Sequence, residues 1–250
     1  MLYQAHFSFD QRWKGMVADM EMKIIGRIYT DFSSKFGLPR QSGLVDKLQG
    51  KIILESEYRN ADAFRGLEEF SHIWLVWEFS QAIRKEWSPT VRPPRLGGNK
   101  RLGVFATRSP FRPNPIGLSC VRLDNVILDA VKGPILQVSG IDMMDGTPIY
   151  DIKPYLPYAD SYPEACGGFT ERVRSHCMKV FMPEETVYGC GLSDEKLEAL
   201  RGVLEQDPRP RYQQDPERVY GMSFAGHEVR FRVEGDAVYV VEISDEPGKA

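Results

Sequence analysis

No apolar run in the chain approaches the ~20 residues that a bilayer-spanning helix needs, so a helical membrane protein is excluded. The four cysteines (Cys120, Cys166, Cys177, Cys190) show no CxxC spacing, and the four histidines do not pair with them at zinc-ligand intervals. No metal is expected, and the thiols are expected to be free, buried and in a reducing compartment. A Gly-x-Gly-x-x-Gly turn between strand and helix is also missing. Gly189-Cys190-Gly191 runs on into Leu192-Ser193-Asp194, which excludes a Rossmann-type nucleotide site. There is no P-loop and no cluster of metal-binding carboxylates. The N-terminus lacks the apolar segment and small-residue cleavage site of a secretory signal, so a cytoplasmic protein is expected.

One local absence carries more content. Between Trp87 and Leu123 there is not one Asp or Glu, yet seven basic residues are present: Arg92, Arg95, Lys100, Arg101, Arg108, Arg112 and Arg122. The chain as a whole carries -3, so a cationic island sits in an otherwise acidic protein. Such an island attracts a polyanion or a carboxylate to one face. Pro93, Pro94, Pro110, Pro113 and Pro115 stiffen the segment, while Gly97 and Gly98 free the backbone beside them. A loop that only solvates charge needs no such restraint, and rigid charged loops are where binding and catalysis concentrate. Between the prolines, Leu102–Ala106 reads as a short buried strand.

At 250 residues the chain can hold one large or two modest domains. Residues 1–21 read as an N-terminal extension. Strands are expected over Met22–Tyr29, Gly50–Leu54, His72–Phe79, Leu118–Leu128, Ile135–Ser139 and Ile149–Pro154. Asp145-Gly146 marks a turn. A brief helix is expected over Ala61–Glu69, with Asn60 as its cap. The composition shifts to Pro, Gly and small residues near Ser161–Gly168, a plausible boundary. Beyond it, Phe169–Phe181 reads as one strand, and Ser193 caps a helix bearing Leu197, Leu200 and Leu204 at helical spacing. Val219–Ala225, His227–Glu234 and Ala237–Ile243 read as a three-stranded meander. The expected fold class is mainly β: an antiparallel β-barrel or sandwich over 22–165, with a small α+β domain over 166–250.

Several strings go beyond pattern. They are Phe36–Gln41 (FGLPRQ), Arg65–Trp74 (RGLEEFSHIW), Arg92–Gly98 (RPPRLGG), Gly103–Gly117 (GVFATRSPFRPNPIG), Asp145–Pro148 (DGTP) and Asp151–Tyr158 (DIKPYLPY), with Asp207–Pro210 as a weaker extension. Through them the chain resembles the TsaA-like family of tRNA methyltransferases, most strongly over residues 22–160.

The resemblance implies a β-barrel that binds S-adenosylmethionine, usually in a homodimer, with a smaller C-terminal domain helping to hold tRNA. It implies methyl transfer to N6 of N6-threonylcarbamoyladenosine at position 37, in the anticodon loop. The cofactor residues it implies are Pro39, Arg40, Gln41, Ser80, Gln81, Arg108, the backbone at Leu118, and Ser139, Gly140, Ile141 and Asp142. Their chemistry suits that role. A planar guanidinium such as Arg108 can bind the cofactor's carboxylate through two parallel hydrogen bonds, and Gln41, Gln81 and Asp142 can meet its adenine and ribose. Gln81 and Asp142 suit plain turn roles equally well. Arg92, Arg95, Lys100, Arg101 and Arg112 are candidates for the tRNA backbone. No general base is evident: Asp151, Lys153 and Tyr155 either orient the substrate base or form a polar rim. The same loops would also serve a non-catalytic S-adenosylmethionine- or tRNA-binding adaptor.

Overall fold

Six strands close on one another. In the computed structural model, which describes residues 21–83, 86–93, 100–131, 133–172, 177–209, 215 and 217–246, these are β1 (Gly26–Thr30), β2 (Gln49–Leu54), β3 (His72–Glu78), β6 (Ile116–Ile127), β7 (Ile135–Ser139) and β8 (Thr147–Pro154). They form a closed barrel in the order β1-β2-β7-β6-β3-β8, and every pairing in it is antiparallel. A barrel leaves no strand edge exposed. The barrel class expected from short strands and turn signals is the one found.

Alternation along the strands fills the barrel. In β3, Ile73, Leu75 and Trp77 point inward while Trp74 and Val76 are half-buried on the outside, so its continuous apolar run reflects two partly covered faces. Ile28, Ile52, Leu136, Val138 and Ile149 complete the interior. Each such side chain contributes about 1.5–3 kcal/mol when fully buried. Two bulges interrupt the ladder. Tyr150 is the extra residue where Val76 faces Asp151 and Trp77 faces Ile149, and Asp124 is extra between the Arg122–Ser139 and Asn125–Gln137 levels.

A second sheet has the order β10 (Tyr220–Phe224), β11 (His227–Glu234), β12 (Ala237–Asp245) and β9 (Lys179–Phe181), with β9 parallel to β12. Against it lies the helix α3 (Asp194–Glu205), which buries Ala199, Leu200, Val203 and Leu204 and is capped by the Ser193 hydroxyl accepting from the Lys196 N–H. This region clamps the segment after β1. Phe224 meets Phe32 edge-on at 5.4 Å, the Ala225 N–H donates to the Asp31 carbonyl at 2.8 Å, and Lys196 pairs with the Asp31 carboxylate.

Several expectations need correction. The first strand starts at Gly26, not Met22. The helix over Ala61–Glu69 is instead two 3-10 turns, Ala61–Phe64 and Leu67–Glu69, split by Gly66 at φ 85°, a conformation that ends helical geometry. Leu102–Ala106 is not a buried strand. Only β5 (Leu102–Gly103) pairs, with β4 (Thr90–Val91), and a 3-10 turn follows in which Val104 alone is buried. With a single two-residue partner, the run has no sheet to cover its other apolar side chains. Phe169–Phe181 is likewise not one strand: Gly168–Arg172 is a 3-10 turn and the strand is confined to β9. Two single-turn helices, α1 (Pro157–Asp160) and α2 (Glu184–Val187), were not expected. The thiols are not uniformly buried, since Cys166 and Cys177 are exposed and Cys120 and Cys190 half-exposed. The expectations for residues 1–20, Arg95, Gly97 and Gly98 lie outside the described residues. Among the described residues no helix is long and apolar enough to cross a membrane.

Candidate functional site at one end of the barrel

Antiparallel closure sorts the connections into two ends. The C-terminal ends of β1, β3 and β7 and the N-terminal ends of β2, β6 and β8 share one rim. Three connections therefore meet there: residues 31–48, which carry Pro39, Arg40 and Gln41; residues 79–115, which carry Ser80, Gln81 and all of the basic island but Arg122; and residues 140–146, which carry Gly140, Ile141 and Asp142. Ser139 ends β7 at the same rim, and Leu118 lies two residues inside β6.

Backbone bonds fix the first and third connections to each other. The Gly43 N–H donates to the Gly140 carbonyl at 2.9 Å, and the Gly140 N–H donates to the Leu48 carbonyl at 2.8 Å. Gly140 has φ 73°, and a Cβ there would stand 3.5 Å from Gly43, so the residue combines a left-handed backbone with a close approach. The Asp145 N–H donates to the Phe32 carbonyl at 2.9 Å, and Thr30 bonds both the Asp145 carboxylate and the Met143 carbonyl. The second connection is built of tight turns. Ser109 and Phe111 bond back to Thr107 and Ser109 side chains, and the Arg112 N–H reaches the Pro110 carbonyl at 2.9 Å. Arg108 stands on this stiff segment.

The three connections meet through polar side chains. Arg108 Nη1 donates to Gln41 Oε1, and Gln41 Nε2 donates to the Arg40 carbonyl. Asp142 lies near Arg108 and receives the Ser119 hydroxyl at 2.7 Å. Ser119 in turn accepts from Trp77 Nε1 at 2.9 Å inside the barrel. Burial raises the Asp142 carboxyl, and although the Ser119 hydroxyl, the backbone N–H groups of Ser42 and of Asp142 itself, and the Arg108 charge all oppose it, the group still lies at about 6. A half-buried acid that is mostly ionised at neutrality but titrates just below it, beside an exposed guanidinium, is suited to a small polar ligand that carries both donors and a carboxylate.

Not every expected site residue joins this group. Ser80 and Gln81 are exposed in a turn at the same rim. The side chain of Leu118 points out of the barrel and is 56% exposed. Arg92, Lys100 and Arg101 are exposed at the β4–β5 ribbon, whereas Arg112 is half-buried and turned back onto the Thr107 carbonyl at 3.0 Å. Asp151, Lys153 and Tyr155 are elsewhere: on or just beyond β8 on the outer wall, descending away from the rim. Asp151 and Lys153 form an ion pair at 2.9 Å, and the Tyr155 ring packs 5.9 Å from that of Trp74.

Sequence reasoning missed Trp77 and Ser119. The signal was present, since Ser119 shares its parity with Val121 and Leu123 and so places a hydroxyl on the apolar face of its strand. Gly117, the next residue of that parity, makes room for the indole: a Cβ there would stand 2.2 Å from the Trp77 ring.

Comparison with known proteins agrees with this architecture. Residues 27–161 match the tRNA-methyltransferase O N-terminal domain and residues 178–246 the C-terminal domain of the same family. The chain is 43% identical to the tRNA (adenine(37)-N6)-methyltransferase of Escherichia coli, across 87% of this chain and 94% of that one. It is 36% identical to a Pyrococcus abyssi protein named "Probable S-adenosyl-L-methionine-binding protein", across 59% of this chain and 74% of the other. A crystal structure of TrmO from Pseudomonas aeruginosa superposes with a TM-score of 0.71 at 33% identity, covering 91% of this chain and all of that one. The chain belongs to the tRNA-methyltransferase O family.

Proposed function

We propose that this protein methylates N6 of adenosine 37 in tRNA, using S-adenosylmethionine, and that its substrate base is N6-threonylcarbamoyladenosine. The observation that carries the reading is the convergence of Arg108, Gln41 and Asp142 from three connections at one barrel rim, in a chain whose relatives are named for this reaction.

The donor set fits the cofactor. Arg108 offers a guanidinium to its carboxylate, Asp142 accepts from its hydroxyl and ammonium groups, and Gln41 and Gln81 offer amides to its adenine. Pro39, Arg40, Ser80, Leu118, Ser139, Gly140 and Ile141 supply walls and backbone groups around them. When bound, S-adenosylmethionine supplies a methyl group on a positively charged sulfur. The residues of this chain then act mainly by holding two reactants in line, which is where most of the barrier reduction in such a displacement lies. Arg92, Arg95, Lys100, Arg101 and Arg112 serve the tRNA backbone.

We read the assembly as a homodimer acting in the cytoplasm. Ile116 and Leu118, 40% and 56% exposed, line the outer wall beside half-buried Trp74 and Val76, and a second copy would cover this apolar strip. Asp151, Lys153 and Tyr155 lie on the same wall and would then face the partner's rim as substrate-orienting groups. Light scattering tests the assembly. Incubation with methyl-labelled cofactor and bulk tRNA tests the reaction. Label in tRNA is the expected outcome, and cofactor binding without transfer would favour the adaptor reading instead.

A further inference from the structure

Two large aromatic side chains stand in the open on the basic segment. Trp87 is 51% exposed and Phe105 is 72% exposed, and their ring centroids are 6.1 Å apart at an angle of 31°. They are 18 residues apart in sequence, and the short β4–β5 ribbon brings them together. Thr90 pairs with Gly103 and Val91 with Leu102, and the Val104 N–H donates to the Pro89 carbonyl at 2.9 Å. Neither ring belongs to the hydrophobic core, so core packing does not account for their placement.

Their surroundings are cationic. Arg92 and Arg101 lie one position beyond the last ribbon pair, Lys100 follows, and Arg101 Nη1 rests 3.4 Å from the Thr90 hydroxyl. Among the described residues none of these three has an acidic partner. Glu86, just before Trp87, is the nearest acid in the sequence, and no other follows until Asp124. Exposed aromatic rings interleaved with unpaired cations are the arrangement by which proteins hold unstacked bases: the rings take the base faces and the cations take the phosphates. The platform is also close to the cofactor loops. Phe105 precedes Arg108 by three residues, so their Cα atoms are at most about 11 Å apart.

We propose that Trp87 and Phe105 form a stacking platform for an unpaired base of the tRNA anticodon loop that flanks the base being methylated. The platform rests on the tRNA reading above and assigns it a contact that positions the loop over the rim by its base faces, independently of phosphate charge.

The test separates the two. An anticodon stem-loop RNA is titrated into wild type, Trp87→Ala, Phe105→Ala and Trp87→Phe, with tryptophan fluorescence as one readout and affinity at several salt concentrations as the other. Each alanine variant is expected to lose about ten- to a hundredfold in RNA affinity, with the salt slope unchanged because no phosphate contact is lost. Trp87→Phe should keep most of the affinity while losing the RNA-dependent quenching, and calorimetry should find cofactor affinity unaltered in all three. If wild type binds and methylates the RNA and both alanine variants bind it normally, the platform is wrong while the tRNA reading stands. If wild type neither binds nor methylates RNA, the tRNA reading fails and takes the platform with it. Conversion of a dimer to a monomer by either alanine variant would make this face a subunit contact and overturn the proposal. Should Trp87→Ala misfold, Phe105→Ala decides, since truncating that exposed ring leaves the core intact.

Discussion

The Ser119 hydroxyl donates to the Asp142 carboxylate at 2.7 Å while accepting from the Trp77 indole at 2.9 Å. A residue of the barrel interior thus holds a carboxylate of the rim in place, and the core and the site share one hydrogen-bond chain.

Replacing Ser119 with Ala breaks both bonds. The buried Trp77 N–H is left without an acceptor, which costs about 1–3 kcal/mol of stability, and Asp142 loses one of the groups that favour its ionised form. Thermal melts should fall, and cofactor affinity measured by calorimetry should fall with them. A variant that melts lower but binds the cofactor normally would show that Asp142 is held by other means.

Cofactor affinity should depend on pH through Asp142. Its carboxyl titrates at about 6 in the folded protein, against about 3.9 in an unfolded chain. Between those values the folded state holds more protons than the unfolded one, so this group's contribution to stability is fully present below about pH 4 and is lost as pH rises through about 6. Cofactor binding at the proposed site runs the other way, because there the ionised acid would accept from the cofactor. Affinity should rise by up to about tenfold per pH unit below 6 and level off above 7. A flat profile in wild type would remove Asp142 from the cofactor site, and the slope should vanish in Asp142→Asn.

The two sets of arginines should separate by ligand. Arg108→Ala should weaken cofactor binding by roughly ten- to a hundredfold even with no RNA present, the loss expected of one charged hydrogen-bonded clamp. Arg92→Ala should leave cofactor affinity alone and lower the slope of RNA affinity against salt by roughly one unit. Normal cofactor binding by Arg108→Ala, or its loss in Arg92→Ala, would contradict this division.

The second sheet should be felt at the loop proposed to hold the cofactor. Met222 is buried in β10 and lies against Gly37, two residues before Pro39; a Cβ on Gly37 would stand 2.5 Å from the Met222 methyl. Met222→Ala opens a cavity under that loop, at a stability cost of about 2–5 kcal/mol. Calorimetry well below the melting temperature should also find weaker cofactor binding. Unchanged affinity would show that the Pro39–Gln41 segment needs no support from behind.

How much of this could be read beforehand differed from element to element. Alternation and turn chemistry placed the strand that became β6, the hairpin at Gly226 and the Ser193-capped helix, because those signals are local. The ring closure was not legible, since β2 pairs with β7 across 80 residues of intervening chain and no local preference encodes a partner. Ala63, Phe64 and Leu67 imitate a helical face, and only the left-handed backbone at Gly66 breaks it. Arg108 stood out through charge and rigidity. Its neighbour Asp142 suits a turn acid as well as a cofactor ligand when only the sequence is read, because burial, the cause of its raised pKa, is a property of the folded barrel.

The most direct test of the account is to map the methyl group. Purified protein, methyl-labelled S-adenosylmethionine and tRNA with or without the threonylcarbamoyl group on adenosine 37 are incubated, and the RNA is digested to nucleosides for mass spectrometry. The account predicts one added methyl on N6 of the threonylcarbamoylated adenosine 37 and none on tRNA that lacks the modification. Methyl on another nucleoside, or equal transfer to unmodified adenosine 37, would contradict it.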